Sequence, residues 1–117
     1  MVRNYVPDAG HLVKVSFDPQ AGDEQAGWRP ALVLSSAAYN QRSGLAVMVP
    51  VTSYRKGYPF EVELPKGLKV SGAVLADHVK SLDWRVRKAR YQDAVPARVL
   101  SQVTRRLALL LGIVQEA

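Results

Sequence analysis

Short apolar segments, each bounded by Gly, Pro, Asn, Asp or Ser, constrain this chain most strongly. In residues 12–17 (LVKVSF), apolar side chains alternate with Lys14 and Ser16, which is typical of a half-buried strand. Similar patterns or continuous apolar runs predict further strands over 31–35, 45–53 and 58–64, and two strands within 72–90. About five short strands in succession predict a small, strongly bent antiparallel sheet or a partly closed barrel.

The C-terminal segment has a helical period instead. A helix is predicted over 96–111, because a proline suits its first turn and Gly112 is a typical stop. Its apolar stripe consists of Val99, Val103, Leu107 and Leu110. A shorter helix is predicted within 35–44, capped by Ser35 or Ser36. The fold class is therefore mainly β with short helices, and the C-terminal amphipathic helix packs on the sheet.

Three segments carry further expectations. Pro50 lacks an N–H, so within 45–53 it predicts a sheet edge, a bulge or a strand end. The second strand of 72–90 is predicted from the alternation of Leu82, Trp84 and Val86 with Asp83, Arg85 and Arg87. Residues 18–27 (DPQAGDEQAG) are predicted to form a loop with a functional role, since long ordered loops in small domains often have one.

Composition bounds the class of protein. The 117 residues suit one domain over 1–117, and 48% of them are hydrophobic, enough for a core. No segment approaches the roughly 20 apolar residues of a membrane span, and the N-terminus lacks the pattern of a signal peptide. Without cysteine, disulfides and thiolate chemistry are excluded. These features predict a cytoplasmic protein.

The charge predicts an anionic partner. The net charge is +6 and the isoelectric point about 9.9, which suits a nucleic acid or an acidic protein. Residues 84–90 (WRVRKAR) concentrate four of the cations. The alternative is an ordinary basic domain.

The sequence lacks the residue patterns that most catalytic and metal-binding sites require. The two histidines, His11 and His78, stand apart, and no HExxH, cysteine-pair or EF-hand spacing is present, so no metal site is predicted. No glycine-rich phosphate loop or serine elbow occurs. Arg, Thr, Glu and Asp remain, and they suit phosphoryl chemistry on RNA. RNA supplies its own nucleophile, the 2′-hydroxyl, so the protein need only orient it, move protons and stabilise charge.

Three ordered motifs extend along the chain: GHLVKVSFDP (10–19), EQAGWRP (24–30) and PVTS (50–53). They resemble the motifs of the MazF/PemK family of toxin endoribonucleases, the MazF branch in particular, in a similarity that covers nearly the whole chain. The resemblance implies an SH3-like barrel paired as a homodimer. It implies sequence-specific cleavage of single-stranded RNA without metal or cofactor, leaving a 2′,3′-cyclic phosphate and a 5′-hydroxyl. The implied regulator is a MazE-like antitoxin whose acidic, disordered tail blocks the RNA groove.

The resemblance also implies catalytic residues. Arg29 matches the catalytic arginine of the family's G-x-R-P motif and would stabilise charge at the scissile phosphate. Thr52 matches the catalytic threonine of P-x-T, whose hydroxyl donates to a non-bridging oxygen. Glu24, in the predicted loop, is a candidate general base or water-orienting group. The structural alternatives are an arginine stacked on Trp28 or Pro30, a strand threonine and a solvated loop carboxylate.

Aromatic, polar and basic residues around the motifs are predicted to bind RNA, by stacking on splayed bases or by contacting phosphates. They are Phe17, Gln25, Trp28, Ser53, Lys56, Tyr58, Asp77, Lys80, Arg85 and Arg87. For Phe17 the alternative is a place in the core, and for the charged residues a solvated face. Asp77 departs from the PemK pattern, because Leu75 stands where that pattern has an arginine. A role for Asp77 in holding the loops is therefore also open.

A second class of function stays open at this point: a non-catalytic SH3-like module that binds RNA or an acidic peptide. The fold alone does not decide between the two classes. The toxin interpretation requires Arg29 and Thr52 to meet in one groove, whereas a pure binding module does not. The surfaces predicted to form a dimer are the helix over 96–111 and the apolar edge over 40–49.

Overall fold

The computed structural model describes residues 5–16 and 27–113. Its strands are β1 (His11–Ser16), β2 (Trp28–Val33), β3 (Leu45–Thr52), β4 (Glu61–Glu63), β5 (Ala73–Leu75), β6 (Lys80–Asp83) and β7 (Arg90–Ala94). Its helices are α1 (Ala37–Ser43) and α2 (Ala97–Leu111). The predicted mainly β class with a C-terminal helix is confirmed. Within the described ranges, no helix is long and apolar enough to cross a membrane.

The sheet is antiparallel throughout and follows the order β4-β5-β3-β2-β1-β7, with β6 also paired to β3. One edge of β3 pairs with β2. Its other edge pairs with β6 over residues 45–48 and with β5 over residues 51–52. Because β3 changes partners along its length, the sheet bends into an open, barrel-like form with β4 and β7 at its two ends.

Pro50 lies inside β3, two residues before its end and at the point where the strand changes partner, whereas the prediction offered a sheet edge, a bulge or a strand end. The N–H of Val47 donates to Ser35 Oγ (2.8 Å), and its carbonyl accepts from the N–H of Leu34 (2.8 Å), both on the β2 side. Backbone groups of successive strand residues alternate in direction, so the nitrogen of Pro50 faces the opposite edge. There the pairing passes from β6 to β5. The missing donor falls between the two partners and costs no ladder hydrogen bond.

Two cores lie on opposite sides of β1, β2 and β3. One core contains Leu12, Leu32 and Val49, packed against Val99 and Val103 of α2. The other contains Val13, Val15, Ala31, Val33 and Met48, packed against Leu82 and Trp84. Since both faces of these strands are buried, their sequences are nearly continuous in apolar residues.

The predicted cap of α1 and the predicted stop of α2 are observed, but the predicted apolar stripe of α2 is only partly buried. Ser36 caps α1, its Oγ accepting from the N–H of Tyr39 (3.4 Å), and Gly112 ends α2 in the left-handed region at φ 72°. The buried residues of α2 are Val99, Val103 and Ala108. Leu110 is 48% exposed, so its predicted place in the apolar stripe was wrong. Ala108 is buried near that end of the helix instead.

The second strand predicted within 72–90 ends early, at Asp83. Its Oδ1 accepts hydrogen bonds from the backbone N–H groups of Arg85 (3.1 Å) and Val86 (3.0 Å), which turns the chain. Lys88 then has φ 54°, and Val86, predicted to face the core, is 56% exposed. Strand β7 follows. Its polar sequence, RYQDA, hid it from a search for apolar alternation.

Asn40 is fully buried in α1 and joins three parts of the fold. Its Nδ2 donates to the carbonyls of Pro7 (2.8 Å) and Ser35 (3.0 Å), and its Oδ1 accepts from Ser35 Oγ (2.6 Å). Trp84 Nε1 donates to the carbonyl of Asn40 (2.9 Å). Every polar atom of this side chain is therefore paired, as a buried amide requires. These bonds are called the Asn40 network below.

Candidate functional site

Arg29, near the start of β2, and Thr52, the last residue of β3, lie at the same end of these two neighbouring strands. The register pairs Ala31 with Pro50. If this register continued for two more residues, Arg29 would stand opposite Thr52, with both side chains on the same face. Both residues line one open cavity of about 350 Å³, called the Arg29 cavity below. A guanidinium fork and a hydroxyl donor in one cavity suit an anion such as a phosphate.

Arg29 belongs to β2 itself, which begins three residues before the predicted start at residue 31. Within this strand, Trp28 pairs with Ser16 and Arg29 pairs with Val15 of β1. Arg29 is therefore the second residue of a strand that begins earlier than predicted. Its backbone is held by the sheet, and its side chain is exposed. A residue fixed in this way loses little further backbone freedom when it binds a ligand.

The hydroxyl of Thr52 is oriented by its own turn. Its Oγ1 accepts from the N–H of Tyr54 (3.1 Å), and its proton has only a long contact, 3.4 Å, to the carbonyl of Tyr54. Gly72 allows β5 to approach this point, because a Cβ on Gly72 would collide with the Thr52 carbonyl oxygen. Its φ of 124° also favours glycine. The hydroxyl is thus fixed in place while its proton is free to turn to a ligand.

Trp28 lines the same cavity, and Arg90 stacks on it. The Arg90 Cζ lies 4.3 Å from the centroid of the Trp28 ring, a cation–π distance. Strand pairing brings them together, because Lys14 of β1 pairs with Pro30 on one side and with Arg90 of β7 on the other. The sequence offers Trp28 as a base-stacking residue or as a partner of Arg29. In the structure one face of the indole is covered by Arg90.

A second cavity of about 620 Å³ continues from the first, and Thr52 and Leu75 line both. Its remaining lining residues are Tyr54, Lys56, Tyr58, Glu61, Asp77 and His78. The two cavities together are called the groove below. The groove brings together Arg29 and Thr52 with five of the residues predicted to bind RNA: Trp28, Ser53, Lys56, Tyr58 and Asp77.

Tyr58 and Asp77 are bonded to each other across the second cavity. The Tyr58 hydroxyl donates to Asp77 Oδ1 (2.9 Å). Partial burial and this hydrogen bond raise the pKa of Tyr58 above its usual value. Tyr58 is therefore a neutral donor at every physiological pH. His78 lies beside them, with its Nε2 3.8 Å from Asp77 Oδ1.

Glu61 holds the loop that lines the second cavity. Its Oε2 accepts from the N–H of Lys56 (2.8 Å), and its Oε1 accepts from the N–H of Gly57 (2.9 Å). Hydrogen bonds to a carboxylate are about twice as strong as neutral ones. The carbonyl of Tyr58 in turn accepts from the Glu61 N–H (3.1 Å). One carboxylate thus sets the positions of Lys56 and Tyr58 in the groove.

The model of one known family matches residues 8–111: the PemK-like, MazF-like toxins of type II toxin–antitoxin systems. The chain belongs to this toxin family. It is 47% identical to the endoribonuclease toxin MazF of Escherichia coli over 112 residues, which cover 96% of this chain and 100% of that protein. The resemblance read from the three sequence motifs is confirmed.

Two solved structures from Deinococcus radiodurans are similar to this toxin-family chain. A MazE–MazF complex has a TM-score of 0.86 and 56% identity, covering 95% of this chain and 100% of that one. MazF alone has a TM-score of 0.84 and 62% identity, covering 93% and 99%.

Three further cations predicted to bind RNA lie outside the groove. The Arg85 guanidinium lies over the Trp84 ring, 4.7 Å from Cζ to centroid, and donates to the Gln41 carbonyl (3.0 Å). Arg87 donates to the carbonyl of Ser16 (3.0 Å). Lys80 begins β6. Three other predicted site residues, Phe17, Glu24 and Gln25, lie outside the described residues.

Sequence reasoning missed several residues of this region, including Tyr54 and His78 in the lining of the second cavity. Ser71 and Leu75 line the groove, Glu61 holds its loop, and Arg90 covers Trp28. In the strand predicted over 58–64, Glu61 alternates with apolar residues, which indicates only an outward-facing carboxylate. Its position five residues after Lys56, across a glycine with φ 77°, is the signal of a carboxylate-closed turn. Arg90 gave no signal, because strand β7 was itself missed.

Proposed function

We propose that this chain is an endoribonuclease toxin that cleaves single-stranded RNA at a specific sequence, without a metal ion, in the cytoplasm. Its toxin family and the endoribonuclease names of relatives 35% and 47% identical to it support the activity. The observation that carries the chemistry is that Arg29 and Thr52 line the same cavity. A non-catalytic module has no need of both groups there.

The proposed reaction uses the nucleophile already present in RNA. The 2′-oxygen forms a bond to the adjacent phosphorus, and the bond from phosphorus to the 5′-oxygen breaks, giving a 2′,3′-cyclic phosphate and a 5′-hydroxyl. Glu24 takes the proton of the 2′-hydroxyl, and the leaving oxygen gains a proton from Arg29 or from water. An arginine side chain is normally protonated and therefore makes a poor base, so the base role falls to the carboxylate.

Arg29 and Thr52 stabilise the charge that develops on phosphorus. The guanidinium offers parallel N–H groups to two non-bridging oxygens. The Thr52 hydroxyl, held at its oxygen by Tyr54, donates its proton to one of them. Such fixed donors act most strongly where charge develops in the transition state, and losing one costs about 10²–10³-fold in rate.

Sequence preference arises in the second cavity. Single-stranded RNA is read through splayed bases that stack on aromatic rings and donate or accept at their edges. Tyr58 presents its ring, Asp77 an acceptor and Lys56 a cation along this cavity. The Tyr58–Asp77 bond holds both side chains in a fixed arrangement before RNA arrives.

The proposed partners are an antitoxin and a second copy of the chain. The MazF of Deinococcus radiodurans is solved with MazE, and the net charge of +6 of this chain suits the acidic tail expected of such an antitoxin. For the homodimer, the C-terminal end of α2 is a candidate surface, because Leu109, Leu110 and Leu111 are between 48% and 74% exposed.

The test is cleavage of a long RNA of mixed sequence by the purified chain in EDTA, with the 5′ ends of the products mapped. We expect discrete cuts at one short motif, carrying 5′-hydroxyls. Arg29→Ala should abolish them, and Arg42→Ala, which changes an exposed arginine of α1, should not. Binding without cleavage would contradict the proposal and indicate an RNA-binding module instead.

A further inference from the structure

A strip of cations runs from the groove across β1 to β7. Lys14 is exposed in the middle of β1 and pairs with both Pro30 and Arg90. In a sheet, directly paired residues lie on the same face. Lys14 and Arg90 are therefore neighbours on the face that also carries Trp28 at the mouth of the Arg29 cavity.

The turn before β7 adds a third cation to this strip. The Arg87 guanidinium donates to the carbonyl of Ser16 (3.0 Å), and Ser16 pairs with Trp28. Arg87 is partly buried and uses its guanidinium for this bond, so it acts as an anchor of the turn. The more exposed Lys14 and Arg90 are the cations that the strip offers to a ligand.

Arg90 is held in position while its hydrogen-bonding edge stays open. The indole of Trp28 supports the guanidinium at 4.3 Å. Within residues 5–16 and 27–113, close contacts between acidic and basic side chains join Arg55 to Glu63 and Asp77 to His78, and neither includes Lys14 or Arg90. A guanidinium stacked on a ring keeps its in-plane N–H groups for an acceptor.

We propose that Lys14 and Arg90 bind backbone phosphates of the RNA outside the cleavage cavity, with Trp28 holding the Arg90 guanidinium. The inference rests on the proposed RNA substrate. A phosphate fits better than a base, because the accessible groups are cations and Arg90 already covers one face of the indole. RNA bound in the Arg29 cavity would pass from Thr52 over Trp28 onto this strip. The strip would add affinity without sequence information, as phosphate contacts do.

The salt dependence of binding tests this directly. The probe is an RNA of the mapped cleavage sequence with a 2′-deoxy sugar before the cleaved phosphate, which removes the nucleophile. Its dissociation constant is measured from about 50 to 200 mM salt. The logarithm of the association constant falls linearly with the logarithm of the salt concentration, and each cation that binds a phosphate of a single strand adds about 0.7 to the steepness of that line. The double variant Lys14→Ala/Arg90→Ala should therefore give a line less steep by about 1.4.

Three variants separate charge from position. Arg42→Ala removes an exposed arginine on α1 and should leave the slope unchanged. Trp28→Ala changes no charge but should weaken binding, because it releases Arg90, and Trp28→Phe should restore much of the loss. The cleaved sequence mapped with the Lys14/Arg90 double variant should be the same as with the parent chain.

Other outcomes overturn the inference. A slope unchanged in the Lys14/Arg90 double variant shows that the strip does not contact RNA. A changed cleavage sequence shows that Arg90 reads a base. Weaker binding of a polyglutamate peptide with an unchanged RNA slope assigns the strip to an acidic protein. Should the parent chain fail to cleave any RNA, the proposed activity fails. Salt-dependent binding of an RNA of mixed sequence then still tests the strip.

Discussion

The Asn40 network and the Arg29 cavity are both built from polar side chains, but they differ in how many of their groups are already paired. Every polar atom of the Asn40 side chain has a partner, and the residue is fully buried. Arg29 is exposed, and the proton of Thr52 has only a 3.4 Å contact. Paired buried groups stabilise a fold, whereas unpaired groups on a fixed backbone are free to bind a ligand.

Replacing Arg29 by alanine should give the largest effect on function and almost none on stability. We expect single-turnover cleavage to fall by about 10²–10³-fold or more, since a charged donor at the phosphate is removed. The free energy of unfolding should change by less than about 0.5 kcal/mol, because the side chain is exposed. Urea denaturation of both proteins checks the second half. A loss of stability matching the loss of cleavage would remove the contrast with the network.

Asn40→Ala should show the reverse pattern. It removes the partner of the buried Pro7 carbonyl and of the partly buried carbonyl and hydroxyl of Ser35. The expected cost is about 3 kcal/mol in the free energy of unfolding. Gln41→Ala, at the exposed neighbouring position, is the control and should cost under about 0.5 kcal/mol. Cleavage per folded molecule should stay close to that of the parent; a loss as large as that of Arg29→Ala would contradict this assignment.

Gly72→Ala should damage stability and site together, because its Cβ meets the Thr52 carbonyl. Overpacking of this kind costs about 1–3 kcal/mol. The matched control is Gly67→Ala, since Gly67 has φ 96° and open space around its Cβ position. Gly67→Ala therefore measures the cost of a positive φ without a collision. Cleavage should fall in Gly72→Ala only, as Thr52 is displaced; equal losses in the two variants would show that the collision has no role.

Glu61→Gln should loosen the groove loop without touching the reacting phosphate. Removing the charge weakens the bonds to the Lys56 and Gly57 N–H groups, by about 1 kcal/mol in total. We expect KM to rise less than tenfold, with kcat nearly constant. Glu63→Gln, an exposed carboxylate in the same strand paired with Arg55, is the control. A fall in kcat with unchanged KM would instead place Glu61 in the chemical step.

The smallest expected effect concerns acid stability. Two hydrogen bonds, from the N–H groups of Lys69 and Ala94, lower the pKa of Asp93 below its usual 3.8. A lowered pKa adds stability above pH 3.8, and that stability is lost as pH falls through the folded-state value. The difference in unfolding free energy between the parent chain and Asp93→Asn should therefore shrink below about pH 4. A difference that does not vary between pH 6 and 3 would show that these bonds have no such effect.

The sequence predicted most of the fold where burial gives a pattern. β1, β3 and α2 follow from apolar periodicity, and Arg29 and Thr52 follow from motifs on two such strands. Prediction from the sequence failed where hydrogen bonds of polar side chains, and not apolar burial, determine the path of the chain. Asp83 turns the chain through its carboxylate, and β7 is too polar to show an apolar period. Arg90 reaches Trp28 only through pairing between strands distant in sequence, which a local pattern does not contain.

The central claim is that Arg29 and Thr52 act on the same phosphate. The most direct measurement is a double-mutant cycle of Arg29→Ala and Thr52→Val in single-turnover cleavage of the mapped RNA. Residues that act as a unit give strongly non-additive losses. We expect the double variant to be at least about tenfold more active than the product of the single losses implies. Losses that multiply to within about twofold would show that the two residues act independently, and would contradict the claim.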